Sequence, residues 1–230
     1  DHNMLVMSER VSDHLPKTEK YIPKQRLWYI RAKEVVISSG SIERPLVFGN
    51  NDTPGVMLSS AAKEYMKIYG VLVGKKPLIF TNNDSGYETA IEFKKNGVNP
   101  IILDTRSKPS SDIITEAKDL NIEIKFSYVV VAAKGYKKVK SADIAKISDD
   151  KKELFNIENI ECDCICVSGF WTPSIHLASQ SGNKSKFNEK IDAFVPDKSK
   201  QKENTIGSAN GIFTLEETIK DAFDKGFDVS

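Results

Sequence analysis

The 230-residue sequence has few of the features that point to a metal site, a membrane span or a nucleic-acid surface. It contains only three cysteines and three histidines, and the histidines are scattered. No apolar run approaches the roughly 18 to 20 residues that cross a bilayer, and no signal-peptide pattern opens the chain. The 33 lysines and arginines nearly balance the 32 aspartates and glutamates, so no net field favours nucleic acid or an anionic membrane. We therefore expect a soluble cytoplasmic protein.

The three cysteines occupy alternate positions, Cys162, Cys164 and Cys166, in a stretch typical of a β-strand. Alternate residues of a strand point to one face, so we expect the three thiols to share a face. A zinc site is the alternative, but no second cysteine pair or nearby histidine would complete four ligands. The sequence predicts reduced strand cysteines and no metal. We assign no histidine a catalytic role.

Strands and helices alternate along most of the chain, which indicates an α/β fold with a mostly parallel sheet. A pattern of strand, turn, helix and strand runs from residue 77 to residue 104 and is typical of a βαβ unit. The other predicted helices cover residues 59–69, 112–120 and 215–224. The other predicted strands cover residues 3–9, 27–33, 34–40, 122–133, 136–140 and 163–167, and those at 27–33 and 34–40 suggest a hairpin that feeds an inner strand.

The turn of the βαβ unit departs from the G-x-G-x-x-G fingerprint of dinucleotide-binding loops. Thr81 and Asn83 replace the two glycines that allow the tight turn and the approach of a pyrophosphate, whereas Gly86 keeps the position for helix packing. Asp104 ends the next strand, where an acidic residue would hold a ribose hydroxyl. Two interpretations remain: a nucleotide site that uses Asp104, or a degenerate fold kept for packing.

Sequence blocks at residues 41–48 (SIERPLVF), 50–58 (NNDTPGVML) and 80–87 (FTNNDSGY) resemble, in order and spacing, the alpha subunits of heterotetrameric sarcosine oxidases. A fourth block, residues 207–215 (GSANGIFTL), is similar to the closing motif of that family's dinucleotide domain. Related amine or opine dehydrogenases and hydrogen cyanide synthase resemble only the Glu-Arg-Pro and Pro-Gly-Val portions. They stay as alternatives.

The resemblance implies an FAD/NAD(P)-binding, glutathione-reductase-like dinucleotide domain. Residues 1–73 and 176–230 would form this domain, incomplete because the family's glycine-rich loop lies upstream, and residues 74–175 would form an inserted Rossmann-like three-layer domain. NAD would bind the outer domain. The residues expected to contact it are Gly40, Arg44, Gly207, Asn210 and Gly211, with a helix beginning near residue 215 pointing at the cofactor.

Each of these residues also has an ordinary structural interpretation. The glycines suit plain turns, and adjacent Glu43 and Arg44 suit a solvated loop.

The activity implied is that of a flavin-dependent oxidoreductase that demethylates sarcosine to glycine. FAD and FMN would bind elsewhere in a complex with other subunits, and the isolated chain would be inactive. Because flavin chemistry rests on the cofactor, we assign no catalytic side chain. The alternative is a non-catalytic assembly module whose nucleotide sites have decayed.

Overall fold

The computed structural model describes residues 2–229. The chain forms two compact units: unit 1 contains Asp1–Ile42 and Thr172–Ser230, and unit 2 contains Glu43–Trp171. The chain passes between them in β4 (Ser41–Glu43) and β13 (Trp171–Pro173). The sequence places the start of the second domain at residue 74, whereas residues 43–73 pack within unit 2 in the structure. The reason is that this segment supplies an edge strand and a helix to the central sheet of unit 2.

Unit 2 is built around a five-stranded parallel sheet. The strands are β5 (Val56–Leu58), β6 (Pro77–Thr81), β7 (Ile101–Asp104), β8 (Glu123–Phe126) and β12 (Cys164–Ser168), in the order β5-β12-β6-β7-β8. Helices α1 (Ser59–Tyr69), α2 (Ser85–Lys95) and α3 (Asp112–Asp119) pack on one face. The other face packs on an antiparallel sheet of β9 (Tyr128–Gly135), β10 (Val139–Ile147) and β11 (Leu154–Glu161). This arrangement has the three layers that the sequence predicts.

The central strand β6 shows how one sequence serves two cores. Its side chains alternate, with Ile79 packed among the helices and with Leu78 and Phe80 packed against the antiparallel sheet. All of β6 is buried, as expected for a parallel strand covered on both faces. Phe48 adds an edge-to-face contact to Phe80, with 5.9 Å between ring centroids. Burial of each such large side chain contributes about 1.5 to 3 kcal/mol.

A single strand predicted over residues 122–133 is wrong. The chain forms β8 in the parallel sheet and then β9 in the antiparallel sheet, with Ser127 between them at φ 59°. A left-handed residue turns the chain sharply, so one apolar run can supply two layers. Strand β11 is a further element that the sequence reading does not identify.

The three cysteines do not share a face, contrary to the prediction. Cys162 lies in the core beside the antiparallel sheet, whereas Cys164 and Cys166 lie in the core beside the helices. The chain changes sheets between them, because the Cys162 N–H still donates to Lys140 O beyond the end of β11. Asp163 completes the change by accepting hydrogen bonds from the N–H groups of Lys75 and Lys76. All three thiols are free and buried.

Unit 1 consists of small sheets and short helices. A hairpin joins β1 (Met4–Arg10) to β2 (Gln25–Arg31), and a second hairpin joins β14 (Ser185–Asn188) to β15 (Ala193–Pro196). Strands β3 (Val35–Ile37) and β16 (Glu203–Thr205) pair in parallel. The helices are α4 (His176–Gln180), a 3₁₀ helix (Gly207–Asn210) and α5 (Leu215–Asp228).

Candidate functional site

The parallel pair of β3 and β16 brings together the glycine segments of unit 1. Val35 pairs with Glu203 and Ile37 with Thr205, and the Ile206 N–H donates to Ile37 O at 3.0 Å. Both segments therefore leave the sheet at the carboxyl ends of the two strands, one toward Gly40 and the other into the 3₁₀ helix. Ligands of α/β sheets bind outside the carboxyl ends of such strands.

Gly40 offers an open approach to backbone at this edge. Its φ is +74°, and no atom lies within 4 Å of the position that a Cβ would occupy. Its carbonyl accepts from the Ser174 N–H at 2.9 Å, which holds the segment in place. Gly211, at φ +82°, has a different reason to be glycine, because a Cβ there would lie 2.9 Å from Ile191 Cδ1. Only Gly40 of these two leaves room for a ligand.

The 3₁₀ helix contributes an amide side chain without a hydrogen-bond partner among residues 2–229. Gly207, buried at its start, donates its N–H to Asp221 Oδ2 at 2.8 Å. The partly buried Asn210 side chain makes no hydrogen bond to any residue between 2 and 229. An amide carries both donor and acceptor atoms, so Asn210 is free to bind a polar ligand group at this edge.

The start of α5 opposes the anion contact that the sequence suggests for it. Thr214 caps the helix by accepting from the Glu217 N–H at 3.4 Å, and its hydroxyl donates to Glu217 Oε2 at 2.6 Å. This side-chain cap satisfies one of the amides that a phosphate would use. Glu216 and Glu217 also place two carboxylates in the first turn. A negative ligand group is therefore disfavoured there.

The contacts of Arg44 lie within unit 2, whereas the sequence assigns Arg44 to the outer dinucleotide domain. It belongs to unit 2, where its N–H donates to Phe170 O at 2.8 Å and its Nε donates to Gly169 O at 3.3 Å. Gly169 returns a hydrogen bond from its N–H to Arg44 O. The loop after β12 thus holds Arg44, a contact across more than 120 residues that local sequence cannot reveal.

In unit 2, Asn83 fills the turn in which a dinucleotide loop would hold a pyrophosphate. Its side-chain Nδ2 donates to Ser168 O at 3.1 Å, and its Oδ1 accepts from the Ser85 N–H at 2.9 Å. The Thr81 hydroxyl donates to Asn83 O and accepts from its N–H. Asn83 is only 7% exposed. Its amide oxygen therefore takes an N–H at the start of α2 that a bound phosphate would otherwise use.

Gly86 has the packing role that the fingerprint gives its last glycine. A Cβ at Gly86 would lie 2.7 Å from Thr81 Cβ, a distance that real Cβ atoms do not reach. The predicted role in packing α2 against β6 is therefore confirmed.

Asp104 is enclosed by other side chains of unit 2. It is 0% exposed, and Arg106 donates to both of its oxygens, from Nε at 3.0 Å and from Nη2 at 2.8 Å. The Tyr87 hydroxyl donates to Oδ2 at 2.7 Å. Burial, together with this carboxylate, holds the pKa of Tyr87 well above its usual range. Arg106 also reaches Asp84 Oδ1 at 2.8 Å. No oxygen of Asp104 faces solvent, so the ribose position is occupied.

In the sequence, Glu43 next to Arg44 suggests one of two solvated loop charges. It is 4% exposed, and its Oε2 accepts from the Ser60 N–H at 2.8 Å. The residue at the N-cap of α1 is Leu58, whose side chain has no polar atom that could accept a hydrogen bond from the helix. Glu43 supplies that acceptor from outside the helix. The signal available in the sequence was a helix whose N-cap is apolar.

Within residues 2–229, no three His, Cys, Asp or Glu side chains converge into a possible metal site. None of the helices in that range combines the length and apolarity needed to span a bilayer.

Solved structures that resemble the chain show its fold. A thioredoxin reductase of T. acidophilum matches with a TM-score of 0.69 at 18% identity, covering 89% of this chain and 68% of that one. A Lactococcus lactis thioredoxin reductase matches with a TM-score of 0.66 at 14% identity, covering 89% and 67%. The chain therefore has the FAD/NAD(P)-binding fold of the pyridine nucleotide-disulfide oxidoreductases, and the predicted fold class is confirmed.

Sequence comparison narrows the class further. The chain is 32% identical over 216 residues to the sarcosine oxidase alpha subunit of Corynebacterium sp. strain P-1, covering 93% of this chain and 22% of that subunit. The alpha subunit of Rhizobium meliloti is 34% identical over 196 residues, covering 85% and 19%. The chain is homologous to this region of the sarcosine oxidase alpha subunits, as the sequence blocks predicted. It spans about a fifth of their length, and no protein-family model matches it.

Proposed function

We propose that this chain is the NAD-type dinucleotide-binding region of a sarcosine-oxidase-type alpha subunit. The whole enzyme would be a flavin-dependent oxidoreductase, acting on a CH–NH donor, that demethylates sarcosine to glycine. The observation that carries the proposal is that Gly40 and the Gly207–Asn210 helix each follow the carboxyl end of one of two paired parallel strands, in a chain homologous to those subunits. Other subunits of the complex would be its partners.

The residues of unit 1 fit part of a dinucleotide. The open space at Gly40 lets a ligand approach the backbone, and Asn210 offers an unused amide. When bound, NAD supplies a nicotinamide ring that exchanges hydride. The chain contains no G-x-G-x-x-G motif to cradle the pyrophosphate. We therefore assign Gly40 and Asn210 to one side of the site and expect weak binding by the chain alone. FAD and FMN are assigned to other parts of the enzyme.

Unit 2 favours the second function considered above, a non-catalytic assembly module. Asn83 fills the pyrophosphate position and Arg106 saturates Asp104, so a nucleotide would have to break several buried hydrogen bonds. Breaking one hydrogen bond to a charged group costs about 1.5 to 3 kcal/mol, which exceeds the contribution of a single ribose contact. Unit 2 would thus retain the shape of a nucleotide-binding domain and serve to position the units and subunits around it.

Titration of the chain with NAD, monitored by saturation-transfer difference NMR, tests the NAD site in unit 1 and the non-catalytic role of unit 2. We expect a weak signal that falls in the Gly40→Ala and Asn210→Ala variants and persists in Asp104→Asn, which alters unit 2 alone. Loss of binding only in Asp104→Asn would place the site in unit 2 and refute the proposal. Peroxide production from sarcosine by the isolated chain would contradict the assignment of the flavin chemistry to other parts of the enzyme.

A further inference from the structure

Unit 1 has a positively charged groove at the opposite end of β3 and β16 from the proposed cofactor site. Its volume is about 960 Å³, and its walls include Arg31, Lys33, Lys200 and Lys202. His2, Asn3, Ala32, Ser199 and Gln201 complete the lining, and none of the lining residues between 2 and 229 carries a carboxylate. This concentration of charge stands out because the whole chain carries a net charge of only +1.

The four cations of the groove lack carboxylate partners among residues 2–229. Many lysines and arginines of this chain pair with carboxylates, as Arg26 does with Glu9 and Lys186 with Asp197. None of the four groove cations forms such a pair with any residue between 2 and 229. Glu34 and Glu203, the nearest carboxylates in sequence, do not line the groove. The positive field is therefore not neutralised within the described chain.

The backbone that carries these cations is held in a defined arrangement. Asn3 Nδ2 donates to Lys33 O at 2.9 Å and to Lys202 O at 3.0 Å, which ties the two basic segments side by side. The Val35 N–H also donates to Lys202 O at 3.0 Å. Gln201 accepts from the Asn3 N–H and donates to Ser181 O. The groove is thus built by side-chain and backbone bonds and is not a chance meeting of mobile lysines.

The cations of the groove are arranged in two pairs on neighbouring segments. Arg31 and Lys33 are two residues apart, as are Lys200 and Lys202. Asn3 holds the two segments together by donating to Lys33 O and Lys202 O. Several carboxylates on one acidic segment would therefore meet several of these cations at once.

We propose that this groove binds an acidic segment of a protein partner. The curated relatives are named as subunits, so a partner chain that offers such a segment suits this surface. Binding would rest on electrostatic complementarity, which sets association rate and orientation more than affinity. It would weaken steeply with salt, because exposed charges are screened beyond about 8 Å at physiological ionic strength.

Fluorescence anisotropy of a labelled hexamer of glutamate, titrated with the full chain at low salt, tests the proposal. A labelled hexamer of glutamine serves as the neutral probe. We expect the glutamate probe alone to bind. We expect Lys200→Glu/Lys202→Glu and Arg31→Glu/Lys33→Glu each to raise its Kd at least fivefold. The matched control, Lys137→Glu/Lys138→Glu, reverses two exposed charges in unit 2 and should leave the Kd within twofold.

Each other outcome overturns the proposal. An equal loss in the control variant would show attraction to any lysine. Binding of tripolyphosphate without binding of the glutamate hexamer would identify a phosphate site instead. Absence of binding by either anion would leave the groove without a role in recognition. Circular dichroism of every variant separates a lost surface from a lost fold.

Discussion

Alanine in place of glycine should have opposite effects at two helical positions of this chain. Gly86 lies in the first turn of α2, and Gly226 lies in the last turns of α5. In an exposed helix the change to alanine gains about 0.5 to 1 kcal/mol, because alanine loses less backbone entropy on folding. Helix propensity alone therefore gives the two substitutions the same sign.

Packing reverses the sign at Gly86. Its Cβ would lie 2.7 Å from Thr81 Cβ, 2.8 Å from Thr81 Oγ1 and 3.0 Å from Thr81 Cγ2. The Thr81 side chain cannot rotate away without cost, because its hydroxyl donates to Asn83 O and accepts from the Asn83 N–H. Overpacking of a buried site costs about 1 to 3 kcal/mol. Around Gly226 no atom lies within 4 Å of the Cβ position.

We therefore expect Gly86→Ala to lower the free energy of unfolding of unit 2 by about 1 to 2 kcal/mol after the gain in helix propensity. Gly226→Ala should leave unit 2 unchanged and raise the helicity of α5. The reporter for unit 2 is Trp171, whose Nε1 donates to Ser85 Oγ at 2.9 Å, next to the substituted position.

Urea unfolding followed by tryptophan fluorescence measures the effect. The Trp28→Phe background removes the other tryptophan, which lies in unit 1. Because a chain of two units need not unfold in one step, the Trp171 signal is analysed by itself. A Gly86→Ala protein as stable as its parent by this probe would refute the steric reasoning.

Three further substitutions test other contacts. Glu43→Ala should destabilise α1 by about 0.5 to 2 kcal/mol, the usual cost of a lost cap, whereas Glu43→Gln keeps an acceptor and should cost less; equal stability of both variants and parent by Trp171 fluorescence would contradict the capping role. Burial raises the pKa of Cys162 to about 12, so the folded thiol keeps a proton that the unfolded chain releases near pH 9. The stability of unit 2 should then fall from about pH 9 toward pH 12, less steeply in Cys162→Ala, and parallel pH profiles of the two proteins would count against this. Thr214→Ala removes the cap of α5 and should speed amide hydrogen exchange in its first turn; unchanged exchange would show that Glu217 suffices.

Local sequence patterns were enough for several elements of this protein. The helix predicted over residues 59–69 has the same bounds in the structure, because apolar spacing and the glycine that follows it are both local signals. The role of Gly86 also followed from spacing alone, since a helix that crosses a strand closely needs a residue without a Cβ. The alternation of strands and helices predicted the α/β class. The four sequence blocks predicted the resemblance to sarcosine oxidase alpha subunits.

Only the tertiary structure decided which polar side chains have hydrogen-bond or ion-pair partners. Asp104 looks like a ribose ligand in sequence, yet Arg106 and Tyr87 enclose it. Glu43 looks solvated, yet it caps α1 from outside the helix. The cysteines alternate in sequence, yet the chain changes sheets between Cys162 and Cys164. Periodicity describes neighbours along the chain, whereas burial, capping and ion pairing depend on partners that the fold brings from distant positions.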